Sequence, residues 1–362
     1  MAAPLLCSDS SGRDNNFDLL RFSFASLVIL SHSYLIAWGS YKKEPLFALS
    51  RGYINLGVIA VMGFFTLSGY LICRSWERTD DAREYLKKRI LRIYPGFVAV
   101  CLFCLLVAGP LGSVNPGDYF RGLPLFRSLL RMAFLVEPKS SVVFVNNPSP
   151  FTLNGSLWSL QYEFLCYLAL MTFGALGILN HRGWVKALWM FCWLGHAYQL
   201  LQYHFGQTLS QAGLNLALLG HYTPYLAKPF YCGLYFFTGV VTYQHRDRIV
   251  RSPILAISAL TLLLLSFLAP ILLVLLMPLC GGYLLFYVAF HPEIRLYAFA
   301  VHGDFSYGLY LYGFPMQQLL VHWSGGRMHP LALFAWGLPL TLCFAAMSWY
   351  GIERPFLRWK RA

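Results

Sequence analysis

Apolar runs of near-bilayer length recur from Leu19 to Tyr350, and only short polar breaks separate them. A helix needs about 20 predominantly apolar residues to cross a hydrocarbon core of about 30 Å. Counting the runs and their flanks predicts ten such helices, at 19–38, 53–73, 93–111, 157–177, 185–204, 230–244, 253–269, 271–290, 303–323 and 331–350. The pattern is that of an all-α, polytopic membrane protein in which residues 1–362 form a single membrane domain with the lipid bilayer as its partner.

Composition strengthens this reading. With 57% hydrophobic and 12% charged residues and a mean hydropathy of +0.54, the chain has too little polar surface to solvate a globule of 362 residues. The net charge of +13 does not point to nucleic acid, because the basic residues sit in short clusters between apolar segments. They set orientation instead. Arg74, Arg78, Arg83, Lys87, Lys88, Arg89 and Arg92 fall within nineteen residues after the second segment, which marks that loop as cytoplasmic. If ten helices alternate from there, the clusters around Arg182 and Lys186, around Arg246, Arg248 and Arg251, and at Arg354 to Arg361 share that side. Both termini are then cytoplasmic.

The polar stretch from Met1 to Asn16 carries Asp9, Arg13 and Asp14 and lacks the features of a signal peptide, so the first apolar segment reads as a retained helix. The cysteines lie in or beside apolar segments without metal-ligand spacing and read as packing residues. Two outer loops, roughly 112–156 and 205–229, are long and interrupted by apolar stretches such as Leu123 to Val136. Loops of this kind are commonly binding loops or re-entrant pieces. No internal repeat is visible, which speaks against a repeat-built transporter.

The first helix holds Arg21 and His32, ionisable groups that a membrane span avoids without reason. Eleven residues at about 100° each come close to three full turns, so the two share a face, ~16 Å apart along the axis. Snorkelling is the plainer account of Arg21, and a hydrogen-bonded core position that of His32. On the second helix Gly57, Ala60, Gly63, Ser68 and Gly69 are small residues that permit close helix packing, and Ser68 with Gly69 also falls at the depth of Arg21, where it could line an entrance. Arg89 and Arg92, three apart, share a helix face, and Arg forks suit phosphate oxygens, although topology alone also explains basic residues there.

Glu163 in the fourth span is a carboxylate that needs a partner or a proton. It lies about six residues below the outer start of its helix and His32 about six below the outer end of its own, ~9 Å in each case, so a His32–Glu163 pair is expected. Such a pair fixes the imidazole tautomer for general-base work. The ninth span, with Tyr307, Tyr310, Tyr312, Pro315, Gln317 and Gln318, has a polar aromatic face that suits either a cavity lining or aromatic packing. Gln318 is the candidate for touching an outer-side acceptor, and Asp304 reads as a helix N-cap or first-turn acid.

Taken in order, these residues resemble the membrane acyltransferase family 3, the ten-helix bacterial acyltransferases of glycans. The resemblance is carried by Arg21-x10-His32, Phe64-Phe65-x-x-Ser68-Gly69-Tyr70, Arg89-x-x-Arg92-x-x-Pro95, Trp158-Ser-Leu-x-x-Glu163, Ser306-Tyr307-x-x-Tyr310 and Glu353-Arg354-Pro355-Phe356, spread over essentially the whole chain. It implies transfer of an acyl group, often acetyl, from cytoplasmic acyl-CoA as co-substrate to a glycan hydroxyl at the bacterial inner membrane, with no permanently bound cofactor and no metal. Carried over by position, His32 is catalytic, Arg21 assists acyl-CoA handling, and Arg89 and Arg92 hold CoA phosphates; the depth counts add Glu163 as the partner that orients His32 and Ser68 beside Arg21 on the donor's path. Trp158, Tyr307 and Gln318 are the substrate-binding candidates. Many relatives place a histidine near Tyr312 or Gly313, which this chain lacks. The rival class is a proton-coupled transporter or lipid-linked glycan flippase that uses Arg21, His32 and Glu163 to move protons.

Overall fold

The computed structural model describes residues 5–6, 15–79, 81–211, 224–294, 296 and 303–359, together with the side chains of these residues except 206–211 and 224–227. Among the described residues the chain is all-helical, with two isolated bridges, Leu5 to Val250 and Ser113 to Val143, and no strand. Ten long helices stand where the ten apolar runs lie. They are α1 (Phe17–Trp38), α2 (Leu56–Glu77), α3 (Ala82–Leu111), α4 (Trp158–Ala175), α5 (Arg182–Gln211), α6 (Pro224–Gln244), α7 (Pro253–Leu268), α8 (Pro270–Ala289), α9 (Ser306–Trp323) and α10 (Pro330–Arg358). Five of them, α1, α2, α3, α8 and α10, are long and apolar enough to cross a membrane.

The largest departure from the expected bounds is α3. It begins at Ala82, eleven residues ahead of the apolar run, so Arg89 and Arg92 ride on the same continuous helix as the span. Charged residues conceal a helix from a hydropathy count, yet Glu84 and Lys88, one turn apart, form an ion pair that supports this turn. Prolines punctuate the helices as π-turns. The segments Cys104–Ala108, Met277–Gly281 and Trp349–Glu353 each contain a proline or lie within two residues of one, where the missing N–H breaks the regular ladder.

The chain divides into two compact units. One comprises Met1–Asn16, Met62–Ala82 and Leu165–Arg295. Within it α2 and α6 cross at glycines. A methyl group added to Gly69 would lie 1.9 Å from the Phe236 carbonyl oxygen, and one on Gly239 would lie 2.0 Å from that of Thr66. Only hydrogen fits there, so the small residues of α2 earn their place by packing. Beside this crossing the Ser68 hydroxyl is hydrogen-bonded to Tyr167 at 2.9 Å.

The other unit comprises Phe17–Val61, Arg83–Phe164 and Leu296–Ala362. Its centre is α9, buried almost along its whole length, with α1 and α10 packed on it. Ile36, Ala37, Phe314, Val321 and Leu333 form a core toward its C-terminal end. Because α9 meets protein on all sides, it can carry tyrosines and glutamines that a lipid-facing helix excludes. The loop at 112–156 folds back along α3. Tyr119 donates to the Leu105 carbonyl at 3.0 Å, and Tyr94 donates to that of Ala133 at 3.0 Å. Tyr94 lies seventeen residues before Leu111, so the loop returns by roughly 25 Å along the helix axis. Of the second long loop, residues 212–223 lie outside the described residues. Among the cysteines, Cys73, Cys101, Cys104, Cys166 and Cys232 are buried packing residues, whereas Cys343 is exposed.

Candidate active site

Arg21 and His32 of α1 both sit in the α9-centred unit, and the helix between them is unbroken. Their surroundings differ completely. Near the N-terminal end of α1, Arg21 meets Asp18 at 3.3 Å, one turn before it, and Asp304 at 3.9 Å. Arg92 of α3 binds Asp304 at 2.6 Å and lies 5.5 Å over the ring of Tyr307. Asp304 precedes α9 in the connecting segment, where it accepts from the Ser306 backbone N–H at 3.3 Å and from the Ser306 hydroxyl. Asp304 is thus neither the N-cap, which is Phe305, nor a first-turn acid, but it binds the first N–H of α9 from just outside the helix, and its carboxylate also joins two arginines from separate helices. Burial alone would raise its pKa, and Arg92 and Arg21 hold it down to about 2. Glu353, buried in the last π-turn, accepts from Ser348 at 3.0 Å and adds a second carboxylate to the field at Arg92.

Toward the C-terminal end of α1, His32 makes no ion pair among the described residues. His32 Nδ1 stands 3.4 Å from the Ser156 hydroxyl, and the imidazole packs edge-on against Phe314 with centroids 5.1 Å apart. A set of hydrogen bonds fixes Ser156. Its backbone N–H donates to Asn154 Oδ1 at 3.1 Å, its carbonyl accepts from the Tyr310 hydroxyl at 2.5 Å, and that hydroxyl also meets Ser159 at 2.6 Å. Asn154 in turn donates to the Leu311 carbonyl at 2.8 Å. The start of α4 is thus tied to α9, and it presents Ser156 to the histidine.

The expected His32–Glu163 contact is not made: among the described residues, His32 has Ser156 as its hydrogen-bond partner. Depth counting took the first residue of α4 as the outer membrane boundary. The returning loop instead delivers Ser156 at the depth of His32, which places Glu163, seven residues on and close to two turns away, well below it. Glu163 is half-buried in α4.

Two other expected roles change. Gln318 is fully buried, and both its amide protons go to the loop, to the carbonyls of Ser149 at 2.7 Å and Thr152 at 3.1 Å, while Asn147 donates to its oxygen at 2.8 Å. It is a staple for the loop ahead of Ser156 and has no proton left for an acceptor. Tyr307 spends its hydroxyl on the Ile93 carbonyl at 2.8 Å and belongs to the ionic cluster around Asp304 through Arg92. Trp158, by contrast, opens α4 two residues after Ser156, edge-on to Tyr162 at 6.0 Å. Arg89 is buried, with its guanidinium 5.6 Å from the ring of Tyr85.

A family model described as an acyltransferase domain matches residues 14–350. The chain belongs to this acyltransferase family. The match spans both units and all ten long helices except the last residues of α10. The acyltransferase is 25% identical to the "O-acetyl transferase" of Shigella phage Sf6 over 359 residues, 95% of this chain and 96% of that protein. It is 32% identical over 169 residues, 44% of each chain, to "Nodulation protein 10" of Rhizobium leguminosarum bv. viciae. No solved structure matches. The protein is therefore an acyltransferase enzyme, and its apolar helices and family make it a multi-pass membrane protein.

Sequence reasoning did not find Ser156, Asn154 or Asp304 as site residues. Ser156 stands two residues ahead of the Trp158 motif, but serine is too common to carry a signal by itself. The Arg92–Asp304 pair joins positions 212 apart, which no local pattern connects.

Proposed function

We propose that the protein moves an acyl group, acetyl foremost, from cytoplasmic acyl-CoA to a hydroxyl of a glycan at a bacterial inner membrane, crossing it ten times with both termini inside. His32 is the general base. The observation that carries this reading is the way the imidazole is held, with Nδ1 on Ser156 and Nε2 without a hydrogen bond among the described residues. With its proton on Nδ1, directed at Ser156, the ring presents Nε2 as the basic atom.

The reaction then follows. Nε2 takes the proton of the acceptor hydroxyl as its oxygen attacks the thioester carbonyl. The C–S bond breaks, a C–O ester bond forms, and the imidazolium returns the proton to the CoA sulfur. Arg89 and Arg92 serve the CoA phosphates, with Asp304 fixing the turn of α3 on which they stand. The ~16 Å along α1 from Arg21 to His32 is comparable to the reach of a pantetheine arm, which supports a donor threaded from the inside. Trp158 offers an aromatic face to the acceptor at the level of Ser156. Ser156 takes the orienting role expected of Glu163, and Glu163 serves the donor half of the path.

The test uses the purified protein in lipid vesicles with acetyl-labelled acetyl-CoA and oligosaccharide prepared by alkaline de-O-acylation of the surface polysaccharide of cells that carry it. Alkali-labile label on the oligosaccharide is the expected result. Oligosaccharide that crosses the vesicle membrane without gaining label would overturn it in favour of a transporter.

A further inference from the structure

The unit built from Met62–Ala82 and Leu165–Arg295 holds a polar cluster for which the reaction chemistry has no use. On α5, His196 and Gln199 are three residues apart and so share a face. On α6, Tyr231 and Tyr235 are four apart. The ring of Tyr231 bridges the helices, 5.8 Å from the His196 ring and 5.4 Å from the Tyr235 ring. Close packing sets this register: Gly195, next to His196, lets the ring of Phe230 so near that an added methyl would lie 2.3 Å from it.

Three atoms in this cluster are buried without a hydrogen-bond partner among the described residues: His196 Nε2, Gln199 Oε1 and the Tyr235 hydroxyl. Tyr235 is 2% exposed. Each such group costs about 1–3 kcal/mol unless something satisfies it, and a bilayer offers no water to do so. Neighbouring polar groups on the same helices are satisfied. Trp189 donates to Thr238 at 2.9 Å and Trp193 to the Leu275 carbonyl at 3.2 Å. The stripe lies about 20 Å along α5 from its start at Arg182, apart from the Gln244 oxygen and His245 Nε2 that are also without a partner at the far end of α6.

We infer that His196, Gln199, Tyr231 and Tyr235 form a binding subsite for a neutral sugar ring of the acceptor. The three orphaned atoms are a donor-acceptor hydroxyl, an amide oxygen and an imidazole nitrogen, which match the hydroxyls of a pyranose, while aromatic rings beside them suit its C–H faces. An anionic ligand would call for cations in the stripe, and none of the three is one. The inference rests on the glycan reading of the acceptor given above.

Tyr235→Phe removes a single oxygen and keeps the ring, so it separates binding from folding. In the vesicle assay, its KM for the de-O-acylated oligosaccharide rises about tenfold, the gain expected from one buried hydrogen bond, while kcat and the KM for acetyl-CoA stay within roughly twofold. Without oligosaccharide its melting temperature equals or exceeds that of the native protein, because an unsatisfied hydroxyl has gone. Gln199→Leu behaves in the same way. Unchanged oligosaccharide KM in both variants, with native protein active, overturns the subsite and leaves the glycan reading intact. A native protein that acylates no oligosaccharide overturns both.

Discussion

Arg21 and His32 share a face of one helix, yet the structure treats them in opposite ways. Near the start of α1, Arg21, Arg92, Asp18 and Asp304 form a network in which arginines meet carboxylates at 2.6 to 3.9 Å, with Glu353 adding to the field at Arg92. Eleven residues on, His32 has a serine and a phenylalanine edge, and no ionic partner among the described residues. Charges that stay charged must be matched where they are buried. A group meant to gain and lose a proton is better left with one neutral hydrogen bond and an open nitrogen. The Arg21 end is accordingly a fixed electrostatic anchor, and the proposed chemistry belongs to the His32 end.

The sharpest way to break this comparison is to remove the anchor. Asp304→Asn leaves two arginines without their shared carboxylate and is expected to destabilise the protein by about 3–5 kcal/mol. Thermal unfolding in detergent checks it, and the double variant Asp304→Asn with Arg92→Gln should recover part of the loss. An unchanged melting temperature would mean that the network is decorative. Next in size is Gln318→Leu, which removes the staple at 147–152. Its stability falls by about 1–3 kcal/mol for the unsatisfied loop carbonyls, while the KM for the acceptor stays native once folded protein is counted. A selective rise in that KM would return Gln318 to the acceptor.

Ser156→Ala sharpens the comparison at the other end. Losing the Nδ1 partner is expected to lower kcat about tenfold without a change in melting temperature. Ser156→Thr, which keeps the hydroxyl, should recover most of it. The smallest effect is a pH signature. Asp304 has its folded pKa depressed to about 2, so its contribution is fully present above its unfolded value near 4 and fades as pH falls from there toward 2. The stability difference between native protein and Asp304→Asn should stay flat from about pH 5 upward and close below about pH 4.

Much of this architecture is legible in the chain because a bilayer makes hydropathy a strict code. All ten apolar runs have a long helix in the structure, and Arg21 and His32 do share an unbroken α1. What hides is whatever depends on contacts between distant segments. The charged first half of α3 carries no apolar signal, so the helix from Ala82 is visible only through its ion pairs. The pairing of Glu163 with His32 failed because depth was counted from the helix start. The loop at 112–156, held to α3 by Tyr94 and Tyr119, lowers that start. Gln318 looked like a ligand-facing amide for a similar reason. A buried glutamine satisfied by a loop and one that waits for a substrate have the same sequence.

The central claim is that His32 performs the acyl transfer, and one measurement addresses it most directly. Surface glycan from cells producing the His32→Ala protein is compared by mass spectrometry with glycan from cells producing equal folded amounts of the native one. The account predicts that ester-linked acyl mass falls by about a thousandfold, within the range for loss of a general base, while the variant keeps the native melting temperature. Glycan from the His32→Ala cells that carries native levels of ester would contradict it.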